Sequence, residues 1–171
     1  MLKRKRKREK RTEMRTFTKW FLLNAVFLTA IFFAETKGAI SLMVKGDVSY
    51  LSVVIMALYV LVSGMVGRLC YLSDKIKSRT AWEVDDKAAL LKRADVGWFA
   101  AEHFFSLGLL GTVFGLCMAT ATSLTEGSEV SDIVAGLKVG LNTAFYTTIC
   151  GIVFSLPLQV QLMILKFKLE E

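Results

Sequence analysis

The chain has little of the chemistry on which enzymes and metal sites are built. Its 171 residues include one histidine, one proline and three cysteines. A lone His103 cannot assemble a multi-histidine metal site. Cys70, Cys117 and Cys150 have no CxxC spacing and cannot all pair, so they read as reduced core thiols and not as a disulfide framework or a zinc site. There is no GxxxxGK[ST], no GxSxG and no HExxH. The expectation is a protein that is not an enzyme, with no catalytic residue, no metal and no cofactor. Low-complexity linkers and internal repeats are missing as well.

What is present is apolar. Hydrophobic residues make up 54% of the chain and the mean hydropathy is +0.49, too high for a soluble domain of this size. The apolar residues fall into four blocks, at 17–34, 50–67, about 98–124 and about 134–165. A spanning helix needs about 20 apolar residues to cross about 30 Å of hydrocarbon. The first two blocks just meet that length. The last two exceed it and must tilt or project from the bilayer. Block one is no cleaved signal peptide, because Glu35, Thr36 and Lys37 follow it in place of a small-residue cleavage site. The fold class expected is an all-α membrane protein with four transmembrane helices.

Charge sets the expected orientation. With four spans both termini share one side, and 19 of the 22 basic residues fall on it. Only Lys37, Lys45 and Lys138 lie on the other. The positive-inside rule then puts the N- and C-termini in the cytoplasm. The run KRKRKREKR near the start reads as a topology anchor on anionic lipid and not as a nucleic-acid site. The organisation expected is a basic cytoplasmic segment over 1–16 and peripheral transmembrane helices 1 and 2 over 17–69. A short cytoplasmic helical segment follows over 70–97, then the third and fourth helices over 98–171. The segment 70–97 reads as extensions of the second and third spans, since DDKAALLKR has acids first and bases last, as a helix dipole favours. The outside loop 35–47 reads as short. TEGSEVSD at 125–132 is an acidic turn around Gly127, with Ser131 or Asp132 as cap of the last helix.

Glycine inside an apolar helix costs about 1 kcal/mol against alanine, yet GLLGTVFGLC at 108–117 holds three. Gly108, Gly111, Thr112, Gly115, Ala119 and Thr122 recur at spacings of three and four and so share one face. Gly136, Gly140, Ala144, Thr148, Gly151 and Ser155 repeat the device on the fourth span. Leu110, Phe114, Phe145 and Ile152 point elsewhere. Such stripes let backbones approach. They suit close helix packing, or a narrow pore or sleeve lined only by threonine hydroxyls, and spacing alone leaves both open. No Asp, Glu, Lys, Arg or His lies deep inside a span; Glu35, Glu102, His103 and Lys138 stand near the ends. Proton- and ion-coupled proteins normally carry an intramembrane ionisable group. A proton path here needs a carboxylate from a partner. Pro157 is expected to bend the fourth helix, because it cannot donate to the carbonyl of Val153.

GLLGTVFGL, followed by LNTAFYTTICGIVFSLP at 141–157, resembles the paired signature of the MotA/TolQ/ExbB proton-channel family. The threonine of the first motif aligns with Thr112, and the second aligns on Thr148, Gly151 and Pro157. The resemblance covers roughly residues 98–165. It implies a homopentamer of inner-membrane, multi-pass subunits around a dimer of a MotB/TolR/ExbD-like protein, with one transmembrane helix and an essential aspartate per partner copy. It also implies that Thr112 and Thr148 line the ion path and that ion flow drives rotation or force. Gly108, Gly111, Gly115, Gly140 and Gly151 would form the close-packing face. The four-span topology is closer to MotA than to the three-span TolQ and ExbB. The segment 70–97 is too short for MotA's rotor-engaging domain, which argues against flagellar torque. The tandem Thr147–Thr148 resembles sodium-driven relatives of MotA and makes Thr147 a third candidate for the ion path. A membrane threonine usually bonds a carbonyl one turn back on its own helix, so H+ is the ion expected, with Na+ as the alternative.

Overall fold

The computed structural model describes residues 15–77, 84–123 and 129–170. They form five helices: α1 (Thr16–Thr36), α2 (Ala39–Gly46), α3 (Leu51–Lys77), α4 (Val84–Ser123) and α5 (Val130–Glu170). No strand occurs among the described residues. α1, α3, α4 and α5 are each long and apolar enough to cross a membrane. At 1.5 Å per residue, the 40 residues of α4 and 41 of α5 run about 60 Å, twice the hydrocarbon thickness. Both helices must therefore leave the bilayer at one end or the other. The charged residues of 87–95 and the Lys166–Asp95 ion pair, 2.7 Å, occupy one such projecting end. Lys166 also sits 5.4 Å from the centre of the Trp98 ring.

α4 and α5 pack along each other, and α1 and α3 lean on one side of that pair. The core gathers Ile55, Tyr59, Val66 and Cys70 of α3, Ala101 and Phe104 of α4, and Phe154, Leu158 and Leu162 of α5. Phe27 of α1, Tyr59 and Phe154 form an aromatic triangle with ring centroids 5.2 to 5.6 Å apart. The outward surface is equally apolar, with Phe21, Phe32 and Phe33 of α1 among its most exposed residues. A patch of that extent is a lipid-facing surface, since soluble monomers rarely expose one. α1 has no cap of its own: Arg15 makes no side-chain capping bond. Its first amides instead reach α3, where Thr16 N donates to Asp74 Oδ1 at 3.1 Å and Phe17 N to Oδ2 at 2.9 Å.

Three sequence expectations need correction. The loop 35–47 contains α2, which starts at Gly38 in the left-handed region (φ 72°) and ends on the buried Asp47, whose carboxylate takes the amides of Ser49 and Ser52. α5 begins at Val130, so Ser131 and Asp132 lie inside its first turn and neither is the cap. Cys70 and Cys150 are buried free thiols as expected, but Cys117 faces outward from α4. The basic run at 1–14, the stretch 78–83, the turn at 124–128 with Gly127, and the side chain of Thr122 lie outside the described residues.

Candidate functional site

The two small-residue stripes face each other within the chain. A Cβ placed on Gly115 would lie 2.5 Å from the carbonyl oxygen of Gly140 and 2.6 Å from the amide nitrogen of Ala144. On Gly140 it would lie 2.5 Å from both the Gly115 oxygen and the Ala119 Cβ. On Gly151 it would meet the Phe104 oxygen at 2.8 Å and the Gly108 Cα at 3.0 Å. On Gly108 it would meet the Thr147 oxygen at 3.0 Å, and at Gly111 it would overlap the Thr147 side chain. These glycines have ordinary helical backbone; what they supply is room. Backbone meets backbone at Gly108, Gly115, Gly140 and Gly151, while Gly111 receives the Thr147 side chain, and the packing is close because so little side chain intervenes. Gly136 lies beyond this stretch and is half-buried.

The threonines divide between the middle and the edge of this seam. Thr147 is wholly buried, its methyl and hydroxyl filling the space beside Gly111. Its hydroxyl bonds back to the carbonyls of Thr143 (2.9 Å) and Ala144 (3.1 Å) on its own helix. Thr112 and Thr148 are half-buried and stand side by side across the seam, hydroxyl against hydroxyl. Thr148 Oγ1 donates to the Ala144 carbonyl at 2.9 Å and lies 3.4 Å from that of Gly108. Thr112 Oγ1 lies 3.2 Å from the Gly108 carbonyl and 3.4 Å from that of Ala144. The side of α5 that carries Thr143 and Phe154 is covered by the α2–α3 turn and by α1 and α3. A turn of 3.6 residues puts Thr112 and Thr148 on the other edge, beside the exposed Leu109, Leu116, Phe145 and Ile152. The hydroxyl pair is thus a polar spot on an open, largely apolar face of the α4–α5 pair.

Thr143 ties the first half of α5 to the α2–α3 turn: it donates to the Gly46 carbonyl and accepts from Val48 N, both at 3.2 Å. Ser155 donates to the Ala101 carbonyl at 2.8 Å. Pro157 stands within α5, which continues as one helix to Glu170.

A second polar cluster went unread in the sequence. Gln161, fully buried on α5, accepts from Trp20 Nε1 and from Ser63 Oγ, both at 3.0 Å. Its amide nitrogen reaches Tyr59 Oη (3.2 Å) and Asn24 Oδ1 (3.3 Å), and Asn24 Oδ1 also accepts from Ser63 at 3.0 Å. One glutamine therefore ties α1, α3 and α5 together one turn beyond Pro157. Its signal was available: Asn24, Ser63 and Gln161 are uncharged polar residues within apolar runs, a placement that in membrane helices marks interhelical bonds. A search confined to ionisable groups passes over it.

These two arrangements divide the work. The Gln161 cluster fixes the outer helices, while the glycine seam presents its hydroxyl pair on the uncovered side. Neither α4 between Glu102 and Ser123 nor α5 between Asp132 and Glu170 contains an acidic residue, so the pair has no carboxylate of its own. No group of three or more potential metal ligands is found among the described residues. No curated protein and no solved structure matches the chain. The model of the MotA/TolQ/ExbB proton channel family matches residues 73–171, which takes in α4, α5 and both threonines. With four membrane-crossing helices and that match over more than half its length, this multi-pass membrane protein belongs to the MotA/TolQ/ExbB proton channel family.

Proposed function

We propose that this chain is the ring subunit of a proton-driven channel motor in the cytoplasmic (inner) membrane. Five copies surround two transmembrane helices of a single-span partner, each bringing an aspartate. Both termini of the ring subunit are cytoplasmic. The observation that carries the reading is the Thr112–Thr148 hydroxyl pair, set on the open edge of the glycine seam with no acid nearby.

The pair has the chemistry a passing carboxyl group needs. Two hydroxyls hold two donor protons and four acceptor lone pairs. When Thr148 donates to the Ala144 carbonyl and Thr112 donates to Thr148, the Thr112 oxygen keeps its lone pairs unused. A protonated, neutral aspartic acid can donate to that oxygen. After the aspartate loses its proton, a turn of the Thr112 hydroxyl makes it the donor to the carboxylate. Exchange of donor and acceptor roles costs no side-chain displacement. One charge moving through 100 mV supplies about 2.3 kcal/mol, comparable to the bonds being exchanged. Thr147 has a structural role in this scheme, because its hydroxyl is buried and satisfied by its own helix. Its burial supports protons over sodium, which requires several oxygen ligands in place of its hydration shell.

The intrachain packing of Gly115 on Gly140 also favours a second reading, a structural or assembly protein whose stripes only pack. The two readings differ in assembly. Co-expression with the single-span product of a neighbouring gene, followed by native mass spectrometry in mild detergent, should give five copies of this chain with two of the partner. A stable monomer or dimer with the partner present contradicts the motor reading.

A further inference from the structure

A groove of about 880 Å³ opens between α1, α3 and the early part of α4, on the basic flank of the spans. One wall is aromatic. Phe17 stacks on Trp20 with ring centroids 5.4 Å apart and meets Tyr71 edge-on at 6.0 Å. Trp20 closes over Gly67, where any side chain would collide with its ring. Met65 and Leu69 make the apolar floor. Arg68 of α3 and Arg93 of α4 converge on the same groove from separate helices. Both are exposed, and among the described residues neither is ion-paired. Two acids on this flank are engaged elsewhere. Asp74 takes the amides of Thr16 and Phe17, and Asp95 takes Lys166.

Two guanidiniums with no ion-pair partner among the described residues, over an apolar, aromatic-walled groove, suit an occupant that is anionic at one end and greasy along its length. A soluble anion leaves the apolar floor uncovered. We infer that the groove binds one anionic phospholipid, its phosphate between Arg68 and Arg93 and one acyl chain along α3 past Met65. Guanidinium groups suit phosphate because their planar fork offers two parallel donors. Aromatic rings at headgroup level complete the setting. The lipid would brace α1 against α3, a role independent of the ion path.

Trp20 reports on occupancy. The full chain carrying Trp82→Phe and Trp98→Phe keeps Trp20 as its only tryptophan. It is placed in phosphatidylcholine nanodiscs containing increasing brominated phosphatidylglycerol. Two basic groups near the surface favour an anionic headgroup by about thirtyfold. Quenching by the brominated phosphatidylglycerol should therefore saturate at mole fractions about thirtyfold below those at which brominated phosphatidylcholine acts. R68Q/R93Q should remove the difference. If that variant misfolds, competition in the parent protein decides: unlabelled phosphatidylglycerol should relieve the quenching and unlabelled phosphatidylcholine should not. Equal quenching by the two brominated lipids overturns the inference. So does unchanged quenching in a folded R68Q/R93Q, relief by inorganic phosphate alone, or shielding of Trp20 from both lipids by a second copy of the chain.

Discussion

Replacing Gly115 by alanine adds one methyl group where the structure leaves no room for it. The new carbon would lie 2.5 Å from the Gly140 oxygen and 2.6 Å from the Ala144 nitrogen. Both are backbone atoms, so no side chain can rotate away, and the helices must separate or twist by about 1 Å. Forcing extra volume into a packed core costs about 1–3 kcal/mol. Against this stands about 1 kcal/mol gained from alanine's better helix propensity. The collision wins, and it also loosens contacts at Gly108, Gly140 and Gly151 on the same seam. Gly64 is the control, because nothing lies within 4 Å of a Cβ there. Gly64→Ala retains only the propensity gain. Thermal unfolding of both variants in one detergent should move the midpoint in opposite directions, down for Gly115→Ala and up for Gly64→Ala. At about 2–4 °C per kcal/mol for a chain of this size, both shifts are measurable. A Gly115→Ala protein as stable as the parent would refute backbone-on-backbone packing of α4 and α5.

Gln161→Leu strips Trp20 Nε1 and Ser63 of their shared acceptor; bonds of this kind between membrane helices are worth about 1–2 kcal/mol, so the unfolding midpoint should fall, and an unchanged midpoint contradicts the clamp. Asp74→Ala leaves the first two amides of α1 without an acceptor and should cost about 0.5–2 kcal/mol, whereas Asp74→Asn keeps one acceptor oxygen and should recover only part of it; equal loss in both variants points to charge rather than capping. Pro157→Ala restores a donor to the Val153 carbonyl in a helix that is already continuous, so ion flux should persist, and its loss would show that the missing bond is used in the cycle.

Most of the fold was legible because lipid imposes a simple rule. Backbone groups in hydrocarbon must bond within the chain, so four long apolar runs become four helices. The glycine and threonine spacing likewise marked which faces of α4 and α5 are small. Spacing did not say whether those faces meet each other or another chain; that depends on the rotation of each helix, which the Gly115–Gly140 and Gly108–Gly151 contacts now fix within the subunit. Nor could it separate Thr147 from Thr148. Adjacent residues lie 100° apart on a helix of 3.6 residues per turn, enough to bury one and leave the other at the edge. α2 was hidden because eight residues between charged neighbours look like a loop. The Gln161 cluster was hidden for another reason, since its members come from three helices and meet only in the fold.

The account stands on the hydroxyl of Thr148. Thr148→Val keeps the shape of the side chain and removes the group that faces Thr112. The measurement is proton flux into liposomes holding the assembled complex with its single-span partner, under a proton gradient without sodium and then under a sodium gradient. The account predicts that Thr148→Val assembles normally and carries no flux, while the parent responds to the proton gradient and Thr147→Val retains its flux. Full activity of Thr148→Val under both gradients would contradict it.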